Sequence, residues 1–286
     1  MKKLLITLVF VFSSFTNADA PIGYYDSALG KNGSALKTAL HNIIDGHTVI
    51  PYTGPRTNDW LDHTDWDVWE ALIFTDSACD DTNPNCGLVQ LLYLDEARHY
   101  DLAYRGGRDS HHKWEREHVW PKSRGFKEEK QDGYTDLHHL RPADKNINNK
   151  HSNYGFDEGG TIVKDKLRDG TEVATTMRLD KTNQSFEPSD RAKGQVARMV
   201  FYMATRYEMG DDQGAELMPD LTLKDDNQKV KEPWIGDLCT LLKWNNTFAV
   251  SDFERRRNER VFKIQNNRNP FIDNPGFANL IWGEQC

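Results

Sequence analysis

One segment in the middle of this 286-residue chain holds the side-chain types that hydrolysis of a phosphodiester requires. His118 is a candidate general base because an imidazole titrates near neutral pH. Glu117 and Asn148 offer a carboxylate and an amide oxygen, which are hard ligands suited to Mg²⁺ or Ca²⁺. Arg141, and as a second candidate Arg124, could contact the phosphate through a guanidinium fork. Together these residue types predict metal-assisted attack of water on a phosphodiester.

The order of short elements around these residues predicts how they are positioned. Apolar residues before Pro121 indicate a strand that ends there, Leu137–Leu140 indicates a second short strand, and Pro142-Ala143-Asp144 opens a short helix. Glu117 and His118 are neighbours, and neighbours on a regular strand point to opposite faces. We therefore expect the site where the first strand twists or ends.

The whole chain predicts one α+β domain over residues 21–286. Its 37% hydrophobic residues can build a sizeable core, which excludes a disordered chain. Apolar spacing predicts a helix after Ser34 and another over 191–207. Residues 87–94 and 172–179 predict strands. No internal repeat or long linker divides the sequence.

The N-terminus has the order of a secretory signal peptide over residues 1–20. Two lysines precede the apolar run Leu4–Phe12, and the small residues Ala18 and Ala20 leave two candidate cleavage points. This run is too short to span a membrane, which takes about 20 residues. An uncleaved interfacial anchor is the alternative. We expect a mature monomer, secreted or periplasmic, with no membrane segment.

The four cysteines favour disulfides over a metal site. An even number of cysteines in an exported protein is typical of paired thiols, and Cys-x6-Cys is a poor zinc motif. A local pairing would join Cys79 to Cys86 and Cys239 to Cys286. This is one of three possible connectivities, so the two others stay open.

The uneven charge distribution bears on the partner. The net charge of -8 disfavours contact with a polyanion, but residues 104–150 hold 11 Lys and Arg against 8 Asp and Glu, and residues 251–270 hold 6 against 3. If these two segments meet in space, they form a cationic face. The alternative is that 254–260 is only a solvated helix surface.

Several motifs in order resemble the endonuclease I family of secreted and periplasmic bacterial nucleases. The active-site signature is Glu117-His118-Val119-Trp120-Pro121, then Asp136-Leu137-His138-His139-Leu140-Arg141-Pro142-Ala143, then Asn148. Further similar segments are Tyr24-Tyr25 with the helix after Ser34, Lys193-Gly194-Gln195-Val196-Ala197-Arg198-Met199 with Tyr202-Met203, Arg255-Arg256-Arg257-Asn258-Glu259, and Asn267-Arg268-Asn269-Pro270-Phe271-Ile272-Asp273. The resemblance covers most of the mature chain.

This resemblance implies a nuclease domain over 21–286 that contains a ββα-metal, or His-Me, finger. It implies that His118 is the general base, that Glu117 and Asn148 hold one divalent cation, and that cleavage of DNA or RNA leaves 5′-phosphates. The family is similar to enzymes with little sequence preference, which fits contacts to sugar and phosphate. His139 replaces a family Asn, so the chain looks closer to the extracellular ribonuclease branch.

The resemblance does not identify the other residues that contact the substrate, so we assign them ourselves. The family arginine near the scissile phosphate lies in a stretch that is short here, so we give that role to Arg141. The side chains expected along a substrate groove are basic or polar: Arg124, His139, Arg255, Arg256, Arg257 and Arg268. Trp114 and Trp120 could stack bases, although core packing is the simpler interpretation.

Two other functions compete with a nuclease. An extracellular nucleic-acid-binding protein without turnover would keep the fold and bind without product. A zinc-dependent hydrolase built from the histidine cluster is disfavoured because this segment has no His-x-x-x-His spacing. The metal that restores activity after chelation separates all three.

Overall fold

The computed structural model of the protein describes residues 20–54, 65–79, 86–107, 111–210 and 217–286. The predicted signal peptide, apart from Ala20, lies outside these residues. Among the described residues, no helix combines the length and the apolar character that crossing a membrane takes.

The first described part of the chain contains two helices and a small hairpin. α1 is Gly33–Ile44, α2 is Val68–Thr75, and the antiparallel strands are β1, Leu88–Gln90, and β2, Ala97–His99. α1 is the first predicted helix, and it buries Leu36 and Leu40. The strand predicted over 87–94 is shorter in the structure, because the chain turns back where the Leu91 amide donates to the Glu96 carbonyl at 3.0 Å.

Two antiparallel strands and a helix follow in the centre of the chain. β3 is Trp114–His118, α3 is Asp132–Thr135, β4 is Leu140–Asp144 and α4 is Lys145–His151. In the strand register, Glu117 lies opposite Arg141 and His118 lies opposite Leu140. α4 packs against both strands. This is the predicted order of strand, strand and helix.

The second strand of this unit begins later than predicted. The strand predicted over 137–140 is a turn up to its last residue, because Asp136 holds the backbone there. Its carboxylate accepts a hydrogen bond from the His138 amide at 2.9 Å, and its carbonyl accepts one from the Leu140 amide at 3.2 Å. The residues that pair with β3 therefore start at Leu140.

The helix of this unit also begins later, after Asp144. The Asp144 side chain accepts hydrogen bonds from the amides of Asn146 at 2.7 Å and Ile147 at 3.0 Å. It is the N-cap residue, so the helix begins at Lys145 and not at Pro142.

A four-stranded sheet packs beside this unit. Its strands are β5, Gly155–Phe156, β6, Thr161–Lys166, β7, Glu172–Asp180, and β8, Ser185–Glu187. They lie in the order β5-β8-β7-β6, with β5 parallel to β8 and the other pairs antiparallel. β7 confirms the strand predicted over 172–179.

The rest of the chain is mainly helical and builds the core. α5 is Asp190–Arg206. It is followed by two short parallel strands that pair with each other, β9, Thr222–Leu223, and β10, Trp234–Ile235. Four helices complete the fold: α6, Leu238–Thr247, α7, Asp252–Gln265, α8, Pro270–Asp273, and α9, Phe277–Trp282. α5 confirms the helix predicted over 191–207, and its Val196 and Val200 are fully buried. The same core cluster includes Leu36 of α1 and Phe186 of β8, so helices and strands share it in a mixed α+β domain.

Both pairs of cysteines are joined as the local pairing predicts. Cys79 is bonded to Cys86, just beyond α2, and Cys239 of α6 is bonded to Cys286. All four thiols are therefore in disulfides.

Candidate active site

A cavity of about 470 Å³ opens where β3 ends, beside α4. The side chains in its lining that bear on chemistry are Tyr52, Glu115, Arg116, Glu117, His118, Lys122 and Asn148. The structure therefore brings together the predicted base and both predicted metal ligands, which come from two elements, with Asn148 lying 30 positions after His118.

Glu117 and His118 face different surroundings although they share this cavity. Glu117 contacts Tyr93 and His151, whereas His118 contacts Tyr52 and Tyr134. This is the opposite orientation that strand alternation requires. Both side chains reach one cavity because β3 ends at His118, as expected for a site at a strand terminus.

His118 is held in the protonation state that a general base needs. Its Nε2 lies 2.9 Å from the Tyr134 carbonyl, and because a carbonyl only accepts, Nε2 carries the proton. Nδ1 then has the free lone pair, and the described residues make no hydrogen bond to it. Burial, and next the nearby His139, lower the pKa of His118 well below its usual value. The imidazole, 8% exposed, is thus neutral at physiological pH.

Glu117 is fixed through one carboxylate oxygen. Its Oε1 accepts hydrogen bonds from the Tyr93 hydroxyl at 2.7 Å and from Nδ1 of His151 at 2.7 Å. His151 is itself held by the Tyr154 carbonyl, which lies 3.1 Å from Nε2. Within the described part of the chain, Oε2 of Glu117 makes no hydrogen bond, so this oxygen is available to a ligand.

Asn148 is oriented by Glu115. Its Nδ2 donates to Oε1 of Glu115 at 2.8 Å, and Lys145 donates to the same oxygen at 3.1 Å. With Nδ2 engaged there, the amide oxygen of Asn148 is the atom left for a cation. Burial raises the pKa of Glu115, which Lys145 opposes.

The donor set fits a hard divalent cation. Glu117 and Asn148 line one cavity, and their carboxylate and amide oxygens are of the kind that suits Mg²⁺ or Ca²⁺. In the described ranges, no group of three or more His, Cys, Asp or Glu side chains could hold a metal ion. An ion here would therefore be bound by few protein atoms and complete its coordination with water and substrate, as is usual for Mg²⁺.

Arg141 does not line the cavity, which contradicts its assignment to the phosphate. The side chain is 0% exposed, its Nε donates to Asp76, and its Nη1 donates to Gln195 at 2.9 Å. Arg257 binds the same Asp76 carboxylate at 3.0 Å and lies equally deep. Both guanidiniums are buried structural groups.

Arg124 is also structural and not a substrate contact. It is fully buried and donates to the backbone carbonyls of Asn153 at 2.9 Å, Asn227 at 2.8 Å and Trp234 at 3.0 Å. Burial lowers its pKa to about 10. The prediction that it binds phosphate is wrong because these carbonyls occupy the guanidinium.

The other predicted groove residues do not line the cavity either. His139 is buried and contacts the Gly133 carbonyl at 2.7 Å, and burial lowers its pKa to about 4. Arg268 is buried against Asp273 at 2.8 Å. Arg255 and Arg256 are half-buried on α7, and Arg256 lines a separate cavity. No side chain of 251–270 is in the lining described above, so the expected joint cationic face is not formed there.

Two tryptophans that could have stacked bases belong to the core. Trp114 and Trp120 are both 0% exposed. Trp114 packs edge-on against Trp69, and the Trp120 indole donates to the Arg124 carbonyl at 2.8 Å. The core-packing interpretation therefore holds for both.

Sequence reasoning missed two cations in the cavity. Arg116 lies over the Tyr52 ring, with 3.4 Å from its Cζ to the ring centroid, and Lys122 donates to the Tyr134 hydroxyl at 2.6 Å. Arg116 precedes His118 by two residues, and this spacing on a strand was the signal for a shared face. Lys122 directly follows Pro121, where the strand was expected to end.

Comparisons with known proteins agree with the resemblance. The sequence model of the endonuclease I family matches residues 32–276. The extracellular ribonuclease of Bacillus subtilis (strain 168) is 44% identical over 261 residues, which cover 91% of this chain and 78% of that protein. Endonuclease-1 of Buchnera aphidicola subsp. Baizongia pistaciae (strain Bp) is 30% identical over 138 residues, which cover 48% of this chain and 46% of that protein. An extracellular deoxyribonuclease of Aeromonas hydrophila is 29% identical over 140 residues, which cover 48% of this chain and 49% of that protein.

Proposed function

This chain belongs to the endonuclease I family, and we propose that it is a secreted or periplasmic, divalent-metal-dependent endonuclease that cleaves DNA, RNA or both with little sequence preference. The observation that carries the proposal is that Glu117, His118 and Asn148 line one cavity. The relatives are named as a ribonuclease, an endonuclease and a deoxyribonuclease, which supports a backbone-directed activity on either polymer. We propose that the mature protein acts as a monomer.

His118 takes a proton from water in this mechanism. Nδ1 accepts the proton as the water oxygen forms its bond to phosphorus, and the bond from phosphorus to O3′ breaks. The departing O3′ takes up a proton from solvent, and the product strand carries a 5′-phosphate. The Tyr134 carbonyl, 2.9 Å from Nε2, holds the ring in place and stabilises the imidazolium that forms.

Glu117 and Asn148 would hold the cation. Oε2 and Oδ1 are the oxygens left available by the hydrogen bonds of these side chains to Tyr93, His151 and Glu115. When bound, a Mg²⁺ or Ca²⁺ ion supplies positive charge to the phosphate in the transition state. On this proposal, β3, β4 and α4 form a ββα-metal, or His-Me, finger with one ion.

A digestion series tests the reaction, the cofactor and the substrate together. The protein is stripped with a chelator and supplied with Mg²⁺, Ca²⁺ or Zn²⁺, each with RNA, single-stranded DNA and duplex DNA. We expect Mg²⁺ or Ca²⁺ to restore cleavage and the fragments to carry 5′-phosphates. Restoration by Zn²⁺ alone, 3′-phosphate ends, or binding without any product would each contradict the proposal.

A further inference from the structure

A series of ring and guanidinium contacts leads away from His118. The Tyr52 ring lies 5.7 Å from the His118 ring, with an angle of 32° between their planes. Cζ of Arg116 lies 3.4 Å from the Tyr52 centroid and 4.3 Å from the centroid of Trp69. Cζ of Arg105 lies 4.7 Å from the same Trp69 ring. Two cations on one indole thus extend the site beyond the base.

Arg116 presents its charge to the cavity. It lies on the same face of β3 as His118, two residues away, and it lines the cavity. Its Nη1 donates to the Tyr52 carbonyl and to Oγ1 of Thr53 at 3.2 Å. Nε and Nη2 make no hydrogen bond within the described part of the chain, so this edge of the fork is available.

Arg116 also differs from the buried arginines that pair with carboxylates. Arg98, for example, binds Asp144 at 2.7 Å and Glu96 at 2.9 Å. Arg116 forms no ion pair with a carboxylate among the described residues, and aromatic rings hold it in place instead. A guanidinium held by ring faces keeps its N–H edge for a phosphate, which it binds through paired hydrogen bonds.

The stack suits phosphates better than bases. Trp69 is 5% exposed, so its ring has little surface on which a base could stack. Tyr52 contacts Arg116 on one side and also packs against Tyr134, with 4.7 Å between the ring centroids. What the stack offers to solvent is guanidinium, and Arg105 is exposed. Positive charge without an open ring face recognises a nucleic-acid backbone and not its sequence.

We propose that the Arg116–Trp69–Arg105 stack binds the phosphate backbone of the substrate strand. Arg116 contacts the phosphate that the water near His118 attacks, and Arg105 contacts a neighbouring phosphate. Both guanidiniums lie against the Trp69 ring. This assignment rests on the proposed nuclease function, and it gives Arg116 the role for which the sequence favoured Arg141.

Binding as a function of salt tests the proposal. Arg116→Gln, Arg116→Lys and Arg105→Gln are compared with Arg178→Gln, a control for the same charge change at an exposed arginine of β7. All carry His118→Ala, so that a short fluorescein-labelled RNA strand and the corresponding DNA duplex stay intact. We expect each Gln variant of the stack to lower the salt slope of log K by about 1. Arg116→Lys and Arg178→Gln should leave the slope unchanged.

Kinetics with His118 present separates the roles of the two arginines. Arg116→Gln should lower kcat/KM about 100-fold, which is the usual cost of losing one hydrogen-bond donor to a transition-state oxyanion. Arg116→Lys should lower kcat because lysine lacks the paired N–H groups of a guanidinium. Arg105→Gln should raise KM with little change in kcat. Thermal unfolding checks each variant, and Arg105→Gln, at an exposed position, keeps the test decisive if Arg116→Gln does not fold.

The outcomes distinguish this inference from the proposed function. Suppose that the wild type is active and that Arg105→Gln and Arg116→Gln both keep its salt slope and its kcat/KM. This result would overturn the phosphate stack but not the proposed nuclease function. A wild type that cleaves neither polymer with Mg²⁺ or Ca²⁺ would overturn the nuclease itself. A slope lowered equally by Arg178→Gln would show a general charge effect and also overturn the stack.

Discussion

Nδ1 of His151 lies 2.7 Å from Oε1 of Glu117, and both side chains are buried. On the proposed function Glu117 binds the cation, and a carboxylate that is anchored through one oxygen presents the other in a fixed direction. Such an outer contact typically raises metal affinity because the ligand loses little freedom when the ion binds. His151 is thus a positioning residue for Glu117.

His151→Ala should weaken Mg²⁺ binding about 10-fold by freeing the Glu117 carboxylate. His151→Asn, which keeps a donor near the position of Nδ1, should retain more affinity. Calorimetric titration with Mg²⁺ measures both variants, with His99→Ala, at an exposed histidine of β2, as the control. Equal dissociation constants for wild type and His151→Ala would remove the positioning role.

His118→Ala should abolish cleavage and leave nucleic-acid binding largely intact. Loss of a general base costs roughly 10²–10⁴-fold in rate. Initial rates and fluorescence-anisotropy binding are measured on the same preparation, again beside His99→Ala. Near-normal turnover in His118→Ala would exclude this imidazole as the base.

The pH dependence of cleavage should reflect the buried environment of His118. Burial lowers its pKa well below the ordinary value of about 6.5, so the ring stays neutral, and able to accept a proton, at pH values where an exposed histidine is protonated. At saturating Mg²⁺, kcat/KM should therefore stay high as the pH falls through 6.5 and drop only in more acidic buffer. A half-maximal rate at pH 6.5 or above would contradict the lowered pKa.

Arg124→Met should reduce stability and not chemistry. It removes hydrogen bonds to three partly buried carbonyls, of Asn153, Asn227 and Trp234, and we expect a loss of about 3 kcal/mol in the free energy of unfolding. Urea unfolding measures this loss beside Arg178→Met. The kcat of the folded fraction should equal that of wild type. If Arg124→Met kept the stability of the wild type but had a lower kcat, Arg124 would contact the substrate after all.

The local parts of the site were predictable from sequence. A strand predicted to stop near Pro121 and a helix predicted to open at Pro142, which in the structure begins at Lys145, place Glu117, His118 and Asn148 together. These signals lie within a few residues of the groups they position. The same holds for the helices over 33–44 and 190–206, whose apolar residues recur at helical spacing.

The roles of the arginines were not predictable in this way. Arg141 is buried because Asp76, 65 residues earlier, meets it in the fold, and Arg124 is buried because carbonyls up to 110 residues later surround it. Residue type does not distinguish an arginine that will meet a carboxylate from one that will meet a phosphate. For Arg116 the sequence does hold a signal, because a residue two positions from His118 on a strand lies on the same face. This spacing makes Arg116 a candidate for the site, but it does not show what the side chain binds.

Helix α4 is tied to strand β3 at two points. Asn148 donates to Glu115, and His151 donates to Glu117, so residues three apart on the helix meet residues two apart on the strand. A thermal displacement of α4 along β3 must stretch both links at once. On the proposed function, the oxygens of Glu117 and Asn148 that bind the cation sit on these two elements, so both links constrain the distance between them.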